Sequence, residues 1–388
     1  MNVHFLNHNS KEADKWSLYG YIQKALDGGQ VKVYCDQVDL SYRIRMELVV
    51  FKWPKLLFSA TRLAFRSVRS TTAADIVVVD DHVQLWPIWF VYRLLAIIHR
   101  RRPRIVYLGF IYTPRSALIV AKLRQAYFAQ VLQLANHVWA YSKVECLALR
   151  HSFPTCRAHF DYVHFGLDEH ATIREYIASL RSGDGERALP GGPTERIQVF
   201  SAGRSSRDYA TLVEGFGRLA LPADLTVVCD SYSEFSDGLL RPNVRVLRSC
   251  YADQYSAELI KASVVVVPLT NPEISAGQMV VMHGLACGKY VIVTETPITR
   301  EYFSGIDCVA FIRQGAADEL ADAIETAVER ISAEPHAIFL SARSVFELRF
   351  NIDCFAKCVA ERLLGLNGAV VTLRNVDDSN SVTSVVNG

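Results

Sequence analysis

Two doubly wound, Rossmann-like α/β domains facing a central cleft are the fold that this sequence predicts. The chain has 388 residues, which is more than one hydrophobic core usually serves. Short β-branched runs alternate with longer stretches of helical apolar spacing, as in the βαβ units of parallel sheets. Residues 181–195 interrupt this alternation, because they are rich in Gly, Pro and charge and lack apolar periodicity. We therefore expect a linker there.

The alternation before the linker predicts an N-terminal domain over residues 1–180. Its strand-like runs are VKVYC from residue 31, DIVVVDD from 75, RIVYLGF from 104, HVWAYS from 137 and FDYVHFG from 160. Residues 196–335 predict a second domain, with RIQVFSAG from 196, LTVVCD from 225, NVRVLRS from 243, ASVVVVPL from 262, KYVIVTE from 289 and CVAFIR from 308. One long helix over 336–366 and a flexible polar tail over 367–388 complete the predicted organisation.

The composition favours a globular protein that is not built to bind nucleic acid. Half of the residues are apolar, 21% are charged, and the formal net charge is +2. A nearly neutral chain lacks the broad basic surface of a nucleic-acid-binding protein. The nine cysteines include no CxxC pair, which is typical of reduced thiols in a cytosolic protein. The N-terminus, MNVHFLNHN, has no basic region followed by an apolar core, so we expect no signal peptide.

The loop after the strand ASVVVVPL has the pattern of an anion site. Ser275, Ala276 and Gly277 are small enough for a ligand to approach the backbone, and a helix beginning at Gln278 directs its free N–H groups at that ligand. Gly288 then allows the helix to end before the next strand. A small-residue turn that serves packing alone is the alternative interpretation.

A second loop, FSAGRSSRDYATLVEGF over 200–216, follows the first strand of the same domain. Gly203 permits a tight turn, and Arg204 and Arg207 stand just beyond it, where guanidinium groups reach a diphosphate bidentately. Two solvated arginines are the alternative. Ligands of open parallel sheets bind beyond the carboxyl ends of the strands, where both loops lie. Together the two loops favour a diphosphate site.

These motifs resemble the donor-binding domain of GT-B glycosyltransferases and are most similar to family 4, glycosyl transferases group 1. SAGRSSRDYATLVEGF resembles the family's basic segment for the donor diphosphate, with Arg204 and Arg207 at the basic positions. SAGQMVVMHGLACGKYVIVT resembles its loop, helix and following strand. The motifs cover about residues 196–330, and the N-terminal domain matches in architecture only. The resemblance implies a UDP- or GDP-sugar as donor substrate, no further cofactor, and a last helix that crosses back to the first domain. We expect no metal, because cationic side chains and a helix N-terminus neutralise the leaving group.

The resemblance has one departure. Many family 4 enzymes bracket the helix with two glutamates eight positions apart, the first near the sugar and the second on the ribose. Ser275 and His283 occupy those positions here, and Glu273 stands two residues too early. A neutral His283 can still hydrogen-bond a ribose, or it can be a satisfied histidine of a half-buried helix. Gln278 is a further candidate for phosphate or sugar contact, and the stereochemical outcome stays open.

The first domain is expected to hold the acceptor. One of its strands ends in Asp80, Asp81 and His82, the place for groups that face a cleft. Either carboxylate can act as general base toward an acceptor hydroxyl, orient the sugar, or cap the next helix. On the neighbouring strand, Gly109 allows close backbone approach, and Arg115 can bind an acidic acceptor or remain solvated.

Two stretches of the first domain combine basic and aromatic residues. They are FKWPKLLFSATRLAFRSVRS over 51–70 and QLWPIWFVYRLLAIIHRRRPR over 84–104. Basic amphipathic segments of this composition suit an anionic membrane surface, although amphipathic core helices with a basic outer face are the alternative. The second stretch contains Arg93 and is not predicted to span a membrane.

We therefore predict a metal-independent glycosyltransferase that moves a sugar from a nucleotide-sugar to a lipid-linked saccharide in polysaccharide or glycolipid assembly. The protein would be cytoplasmic and peripheral on the inner face of the membrane. A GT-B-like sugar-nucleotide-binding protein without catalysis and a nucleotide-sugar epimerase of the same fold are the alternatives. A Rossmann dehydrogenase is not favoured, because no GxGxxG follows the first strand.

Overall fold

A computed structural model describes most of the chain. The described residues are 1–7, 17–26, 29–35, 53–69, 74–99, 103–112, 118–181, 196–203, 206–230, 238, 241–250 and 253–366. Nearly all of the predicted linker and the whole predicted tail lie outside them. The described residues form two six-stranded parallel sheets flanked by helices, which confirms the predicted fold class.

The N-terminal sheet has the strand order β2-β1-β3-β4-β5-β6. Its strands are β1 (Asn2–Asn7), β2 (Gln30–Cys35), β3 (Ile76–Val79), β4 (Arg104–Leu108), β5 (His137–Ala140) and β6 (His159–Tyr162). The flanking helices are α1 (Ser17–Ala25), α2 (Trp53–Val68), α3 (His82–His99), α4 (Leu118–Leu132) and α5 (Lys143–Ser152). Separate apolar clusters cover the two faces of this sheet.

The sequence pattern does not predict β1, which is an interior strand of this sheet, next to the edge strand β2. Polar residues interrupt its run, NVHFLN, so it lacks the continuous β-branched character of the other strands. The fold nevertheless buries it, because it pairs in parallel with both β2 and β3. Val3, for example, lies opposite Val31 on one side and Ile76 on the other.

The C-terminal sheet has the strand order β12-β11-β10-β7-β8-β9. Its strands are β7 (Ile197–Gly203), β8 (Ala223–Cys229), β9 (Val244–Arg248), β10 (Val264–Val267), β11 (Tyr290–Thr294) and β12 (Val309–Ile312). Its helices are α6 (Ala171–Arg181), α7 (Tyr209–Phe216), α8 (Asp253–Lys261), α9 (Gln278–Ala286), α10 (Pro297–Phe303), α11 (Ala317–Ala333) and α12 (Pro335–Val345). Strand β10 is four buried valines, as expected where helices cover both faces of a parallel sheet.

Helix α6 packs on the C-terminal domain although it precedes the predicted linker. Ile173 and Ile177 are buried in the C-terminal core, and α6 contacts α8. The packing of the N-terminal domain therefore ends before α6, upstream of the boundary at 180 that the sequence suggested.

The single long helix predicted over 336–366 is two helices. A π-helical segment, Phe346–Phe350, follows α12, and Asn351 has an extended backbone before α13 (Ile352–Leu366) begins. Asn351 forms a parallel bridge with Leu167, and the Leu167 N–H donates to the Phe350 carbonyl at 2.9 Å. This break redirects the chain, so that α13 packs against α1 of the N-terminal domain.

The domains also meet along an interdomain seam, in which Tyr141–Glu145 face Ser275, Glu301 and Tyr302. The N–H groups of Lys143 and Val144 donate to the Glu301 carboxylate at 2.6 and 2.9 Å. The Tyr302 hydroxyl donates to the Tyr141 carbonyl. A carboxylate of one domain thus caps the N-terminus of α5 in the other. Among the described residues, no helix is long and apolar enough to cross a lipid bilayer.

Candidate active site

Each sheet has one point at which the strand order reverses direction. It lies between β1 and β3 in the N-terminal sheet and between β7 and β10 in the C-terminal sheet. Ligands of open parallel sheets bind beyond the carboxyl ends of the strands at such points. The predicted donor loops follow β7 and β10, and Asp80 follows β3. The topology therefore directs the predicted donor and acceptor groups to the switch points of their sheets.

The two predicted donor loops contact each other through the backbone. The Asp208 N–H donates to the Pro268 carbonyl at 3.2 Å, and the Thr270 N–H donates to the Ser206 carbonyl at 3.2 Å. The Asp208 carboxylate then caps α7 by accepting from the Thr211 N–H at 3.0 Å. These bonds fix the loop after β7 beside the loop after β10.

Arg207 secures the loop after β7 to the end of its own strand. Its Nε donates to the Ala202 carbonyl at 2.8 Å, and the Tyr209 hydroxyl donates to the Gly203 carbonyl at 2.8 Å. A Cβ at Gly203 would overlap the Arg207 guanidinium, so glycine is required here by this close approach. Burial lowers the pKa of Arg207. Arg204, the other predicted diphosphate ligand, lies outside the described residues.

The N-terminus of α9 is polar and has no side-chain cap. Gly277 precedes the helix with a φ of +86°, provides no side-chain cap, and lies so close to β10 that a Cβ would be 2.8 Å from Val267 Cγ1. Among the described residues, the buried Ser275 Oγ and the buried Gln278 Nε2 have no hydrogen-bond partner. Ala276 is buried between them. The helix start therefore has uncapped N–H groups beside two unpartnered polar side chains.

Glu273 and His283 lie apart from this polar cluster. Glu273 is exposed, and its N–H donates to Asn271 Oδ1 at 2.9 Å. His283 is buried, its Nδ1 is 3.2 Å from the Tyr255 hydroxyl, and its ring centroid is 4.8 Å from that of His170. Burial, followed by the charge of His170, lowers the pKa of His283 to about 3. This neutral, packed arrangement favours a satisfied histidine over a ribose ligand.

The predicted acceptor residues lie together at the end of β3. Gln84 Nε2 donates to Asp80 Oδ1 at 3.1 Å, and Asp81 Oδ1 is 3.3 Å from His82 Nδ1. Asp80 is exposed at the sheet edge, yet desolvation by the surrounding protein, followed by the charge of Asp81, raises its pKa to about 7. Burial lowers the pKa of His82, whose ring meets that of Phe128 edge-on. A carboxylate that titrates near neutral pH suits general base chemistry.

Gly109 lies next to this group, at the end of β4. Its φ is +79°, and the Tyr141 hydroxyl fills the space that a Cβ would need. The close approach predicted for a ligand is thus made by a side chain of the protein. Arg115, the other predicted acceptor-side residue, lies outside the described residues.

Glu145 is a buried carboxylate of the seam that the sequence did not single out. Its Oε1 accepts from the Ser275 N–H at 2.8 Å, and its Oε2 is 3.3 Å from the Ser142 hydroxyl. Desolvation raises the pKa of Glu145, and the contacts with Ser275 and Ser142 oppose this shift. The spacing of Ser142 and Glu145 fits the start of a helix, which Ser142 caps. That spacing gives no indication that Glu145 meets the donor loop of the other domain.

Comparison with known proteins identifies the fold and one domain. Residues 198–330 match the model of the family described as glycosyl transferases group 1. A glycosyltransferase from Rickettsia africae superposes with a TM-score of 0.66 at 13% identity, covering 95% of this chain and 99% of that one. Sucrose-phosphate synthase from Thermosynechococcus elongatus gives 0.62 at 16%, covering 95% and 99%. Anabaena HepE in complex with UDP-glucose gives 0.58 at 16%, covering 94% and 100%. No curated protein sequence matches the chain.

The match confirms the predicted resemblance for residues 198–330. The structural likeness, which extends over nearly the whole chain, confirms the predicted GT-B fold.

Proposed function

We propose that this chain, a GT-B protein with a glycosyl transferases group 1 domain, transfers a sugar from a UDP- or GDP-sugar to an acceptor held by the N-terminal domain. One observation carries the proposal. The loops after β7 and β10 meet at the switch point of the C-terminal sheet, where the uncapped N-terminus of α9 and the unpartnered Gln278 amide are positioned for a phosphorylated ligand. The UDP-glucose complex of a protein with this fold supports it.

The donor diphosphate would bind between the two loops. Backbone N–H groups at the start of α9, together with Arg204 and Arg207, would neutralise the charge that develops on the leaving nucleoside diphosphate. In this proposal these groups act in place of a metal ion, and no further cofactor takes part. In this proposal Gly203 and Gly277 let the two loops pack closely, Gly203 against Arg207 and Gly277 against Val267.

The acceptor hydroxyl would face Asp80. In its ionised form Asp80 would accept the hydroxyl proton as the sugar is transferred, and Asp81 and His82 would orient the acceptor. A pKa near 7 places this proton transfer in the neutral range. Transfer should therefore become faster as the pH rises through about 7.

The surface of the N-terminal domain supports a lipid-linked acceptor. Residues 48–144 contain fourteen Lys and Arg but only three acidic residues, in a chain with a net charge of +2. Helices α2 and α3 carry Arg62, Arg66 and Arg93. Helices α2, α3 and α4 expose large apolar side chains: Leu57, Phe58, Phe65, Trp86, Phe90, Leu94, Ile119 and Leu123. Helices α2 and α3 also pack on each other. This composition favours peripheral binding to the inner, anionic leaflet and a role in polysaccharide or glycolipid assembly.

Calorimetric titration with UDP, GDP, ADP and CMP tests the donor site. We expect one nucleoside diphosphate to bind, and Arg204→Ala to weaken it at least tenfold, about 1.4 kcal/mol. Arg196→Ala is the matched control, because Arg196 adjoins the opposite end of β7 and pairs with Asp224. The proposal fails if none of the four nucleotides binds, or if both variants weaken binding equally.

Product analysis separates the proposal from its alternatives. A sugar-nucleotide-binding protein without catalysis would bind the nucleotide but neither transfer nor hydrolyse any nucleotide-sugar. An epimerase would convert the free donor without an acceptor. A glycosyltransferase would release the nucleoside diphosphate in proportion to glycosylated acceptor.

Vesicle co-sedimentation tests the membrane surface. We expect binding to phosphatidylcholine vesicles that contain phosphatidylglycerol, and less binding to phosphatidylcholine alone. The double variant Phe58→Ser, Phe90→Ser should reduce binding. Leu348→Ser removes an equally exposed apolar side chain from the π-helical segment and should leave binding unchanged. Equal binding to both vesicle types would contradict an electrostatic contribution.

A further inference from the structure

We infer, on the basis of the function proposed above, that Glu145 of the N-terminal domain determines specificity for the donor sugar. Together with Ser275 and Gln278 it would bind the hydroxyl groups of that sugar across the interdomain seam. The donor would then be held by both domains, with its phosphates on the C-terminal domain and its sugar at the carboxylate of the N-terminal domain.

The position of Glu145 is the first observation. The residue is 5% exposed, and its Oε1 accepts from the Ser275 N–H at 2.8 Å, in the loop that leads into α9. A buried carboxylate is costly unless it is hydrogen-bonded, and its two oxygens can accept about four hydrogen bonds. Bonds from the Ser275 N–H and the Ser142 hydroxyl, together with the Tyr141 backbone, occupy most of this capacity and leave room for one ligand hydroxyl.

The second observation is the pair of unpartnered groups on the other side of the seam. Ser275 Oγ and Gln278 Nε2 are both buried, and neither has a hydrogen-bond partner among the described residues. Gln278 as a whole is only 6% exposed. A buried polar group without a partner costs about 1–3 kcal/mol, so such groups in a native protein require an explanation. A ligand that accepts from the amide and exchanges hydrogen bonds with the hydroxyl supplies one.

Charge determines which part of the donor fits here. An ionised Glu145 repels phosphate but accepts hydrogen bonds from neutral hydroxyls. The loop after β7 carries Arg204 and Arg207, which attract phosphate instead. Two neighbouring sites of opposite preference would orient the donor, with the diphosphate at the arginines and the hydroxyl-rich sugar at Glu145.

The seam holds Glu145 in place without help from the ligand. The N–H groups of Lys143 and Val144 bind Glu301, and Glu301 also contacts His164 Nε2 at 2.6 Å. These bonds position the first turn of α5, and Ser142 caps it. A group fixed in this way discriminates between sugars that differ in the direction of one hydroxyl, because it cannot move to follow it.

Calorimetry on the full chain with Glu145→Gln tests the inference. The probes are UDP and UDP-glucose, or GDP and GDP-mannose if wild-type protein selects GDP. We expect the variant to bind the sugar nucleotide at least fivefold more weakly and the free nucleotide within twofold of wild type. Ser275→Ala should show the same selective loss. Asp224→Asn is the matched control: it alters a carboxylate that pairs with Arg196 at the start of β8, at the opposite end of the C-terminal sheet, and should not weaken the sugar nucleotide selectively.

The outcomes separate this inference from the proposed function. If Glu145→Gln changes the affinity for the sugar nucleotide and the affinity for the free nucleotide by the same factor, Glu145 has no role in sugar recognition. The proposed donor site would be unaffected by that result. The same selective loss in Asp224→Asn would overturn the inference too, because the effect would then not depend on the position of Glu145. If wild-type protein binds neither UDP nor GDP, the proposed function fails and this inference fails with it.

Discussion

Replacement of Gly277 by Ala perturbs the start of α9 at a single carbon. The backbone there has a φ of +86°, and the added Cβ would lie 2.8 Å from Val267 Cγ1 and 3.2 Å from Leu269 Cδ2. A left-handed backbone costs a residue with a Cβ about 1–2 kcal/mol. Overpacking against the end of β10 adds about 1–3 kcal/mol. We therefore expect Gly277→Ala to lower the free energy of unfolding of the C-terminal domain by about 2–5 kcal/mol.

Gly305→Ala is the matched control for this change. Gly305 has a φ of +75° in the same domain, but a Cβ there would meet nothing within 4 Å. The control should therefore lose only the backbone contribution, about 1–2 kcal/mol. In thermal unfolding the two variants should differ by roughly 2–4 °C for each kcal/mol of steric cost.

The same substitution should weaken the donor. Relief of the overlap requires the start of α9 to move away from β10, which displaces the N–H groups proposed to bind the diphosphate. A charge at a helix N-terminus is worth about 0.3–1 kcal/mol, so UDP or GDP should bind about two- to fivefold more weakly. Unchanged nucleotide affinity in Gly277→Ala, with stability equal to that of Gly305→Ala, would refute both the packing and its link to the site.

Three further predictions concern charged side chains. The wild-type rate of transfer should increase as the pH rises through about 7, because Asp80 must be ionised to accept a proton. Asp80→Asn should give a slow rate that does not depend on pH in this range. An unchanged pH profile in the variant would exclude Asp80 as the base. Arg343→Met should lower the free energy of unfolding by about 3 kcal/mol, because it leaves the largely buried Glu169 without its guanidinium partner. In urea unfolding, the double variant Arg343→Met, Glu169→Leu should recover part of this loss. Burial acts to raise the pKa of Glu301, but hydrogen bonds from His164, Lys143 and Val144 outweigh it and leave the pKa lowered. Its stabilising effect is thus present at neutral pH and lost as the pH falls through the lowered pKa. Glu301→Gln should therefore be less stable than wild type at pH 7, and the difference should shrink as the pH falls below 4.5.

The strands and loops of the C-terminal domain could be predicted from the sequence because each follows from a pattern of neighbouring residues. VVVV at β10 and YVIVT at β11 are buried on both faces and bounded by turn residues, and such runs predict strands wherever they occur. The interior strand β1 could not be predicted in this way. In its sequence, NVHFLN, polar and apolar residues alternate imperfectly. Its strand conformation depends on pairing with β2 and β3.

The last helix shows a similar limit. The apolar spacing over residues 336–366 is helical throughout, so the sequence predicts one element. The break at Asn351 arises because the chain must pass from one domain to the other beside Leu167, a contact between residues 184 positions apart. Local spacing contains no information about such a pairing.

The site also contains residues that a local pattern predicts and residues whose role depends on distant contacts. Gly277 and Gln278 could be recognised because a glycine before a helix is a local pattern with a local consequence. The role of His283 could not, since it depends on Tyr255 and His170 from other segments of the chain. Glu145 was missed for the same reason, because its partner Ser275 lies 130 residues away in the other domain.

By itself, then, the sequence determined the class of the fold, the strands with continuous apolar runs, and the two glycine-bearing loops that resemble a donor site. The tertiary structure alone decided the interior position of β1, the break before α13, the packing of His283, and the contact of Glu145 with Ser275. The physical reason is the range of the interactions involved. Backbone conformation and burial periodicity act over a few neighbouring residues, whereas hydrogen bonds across the seam join groups that only the folded chain brings within 3 Å.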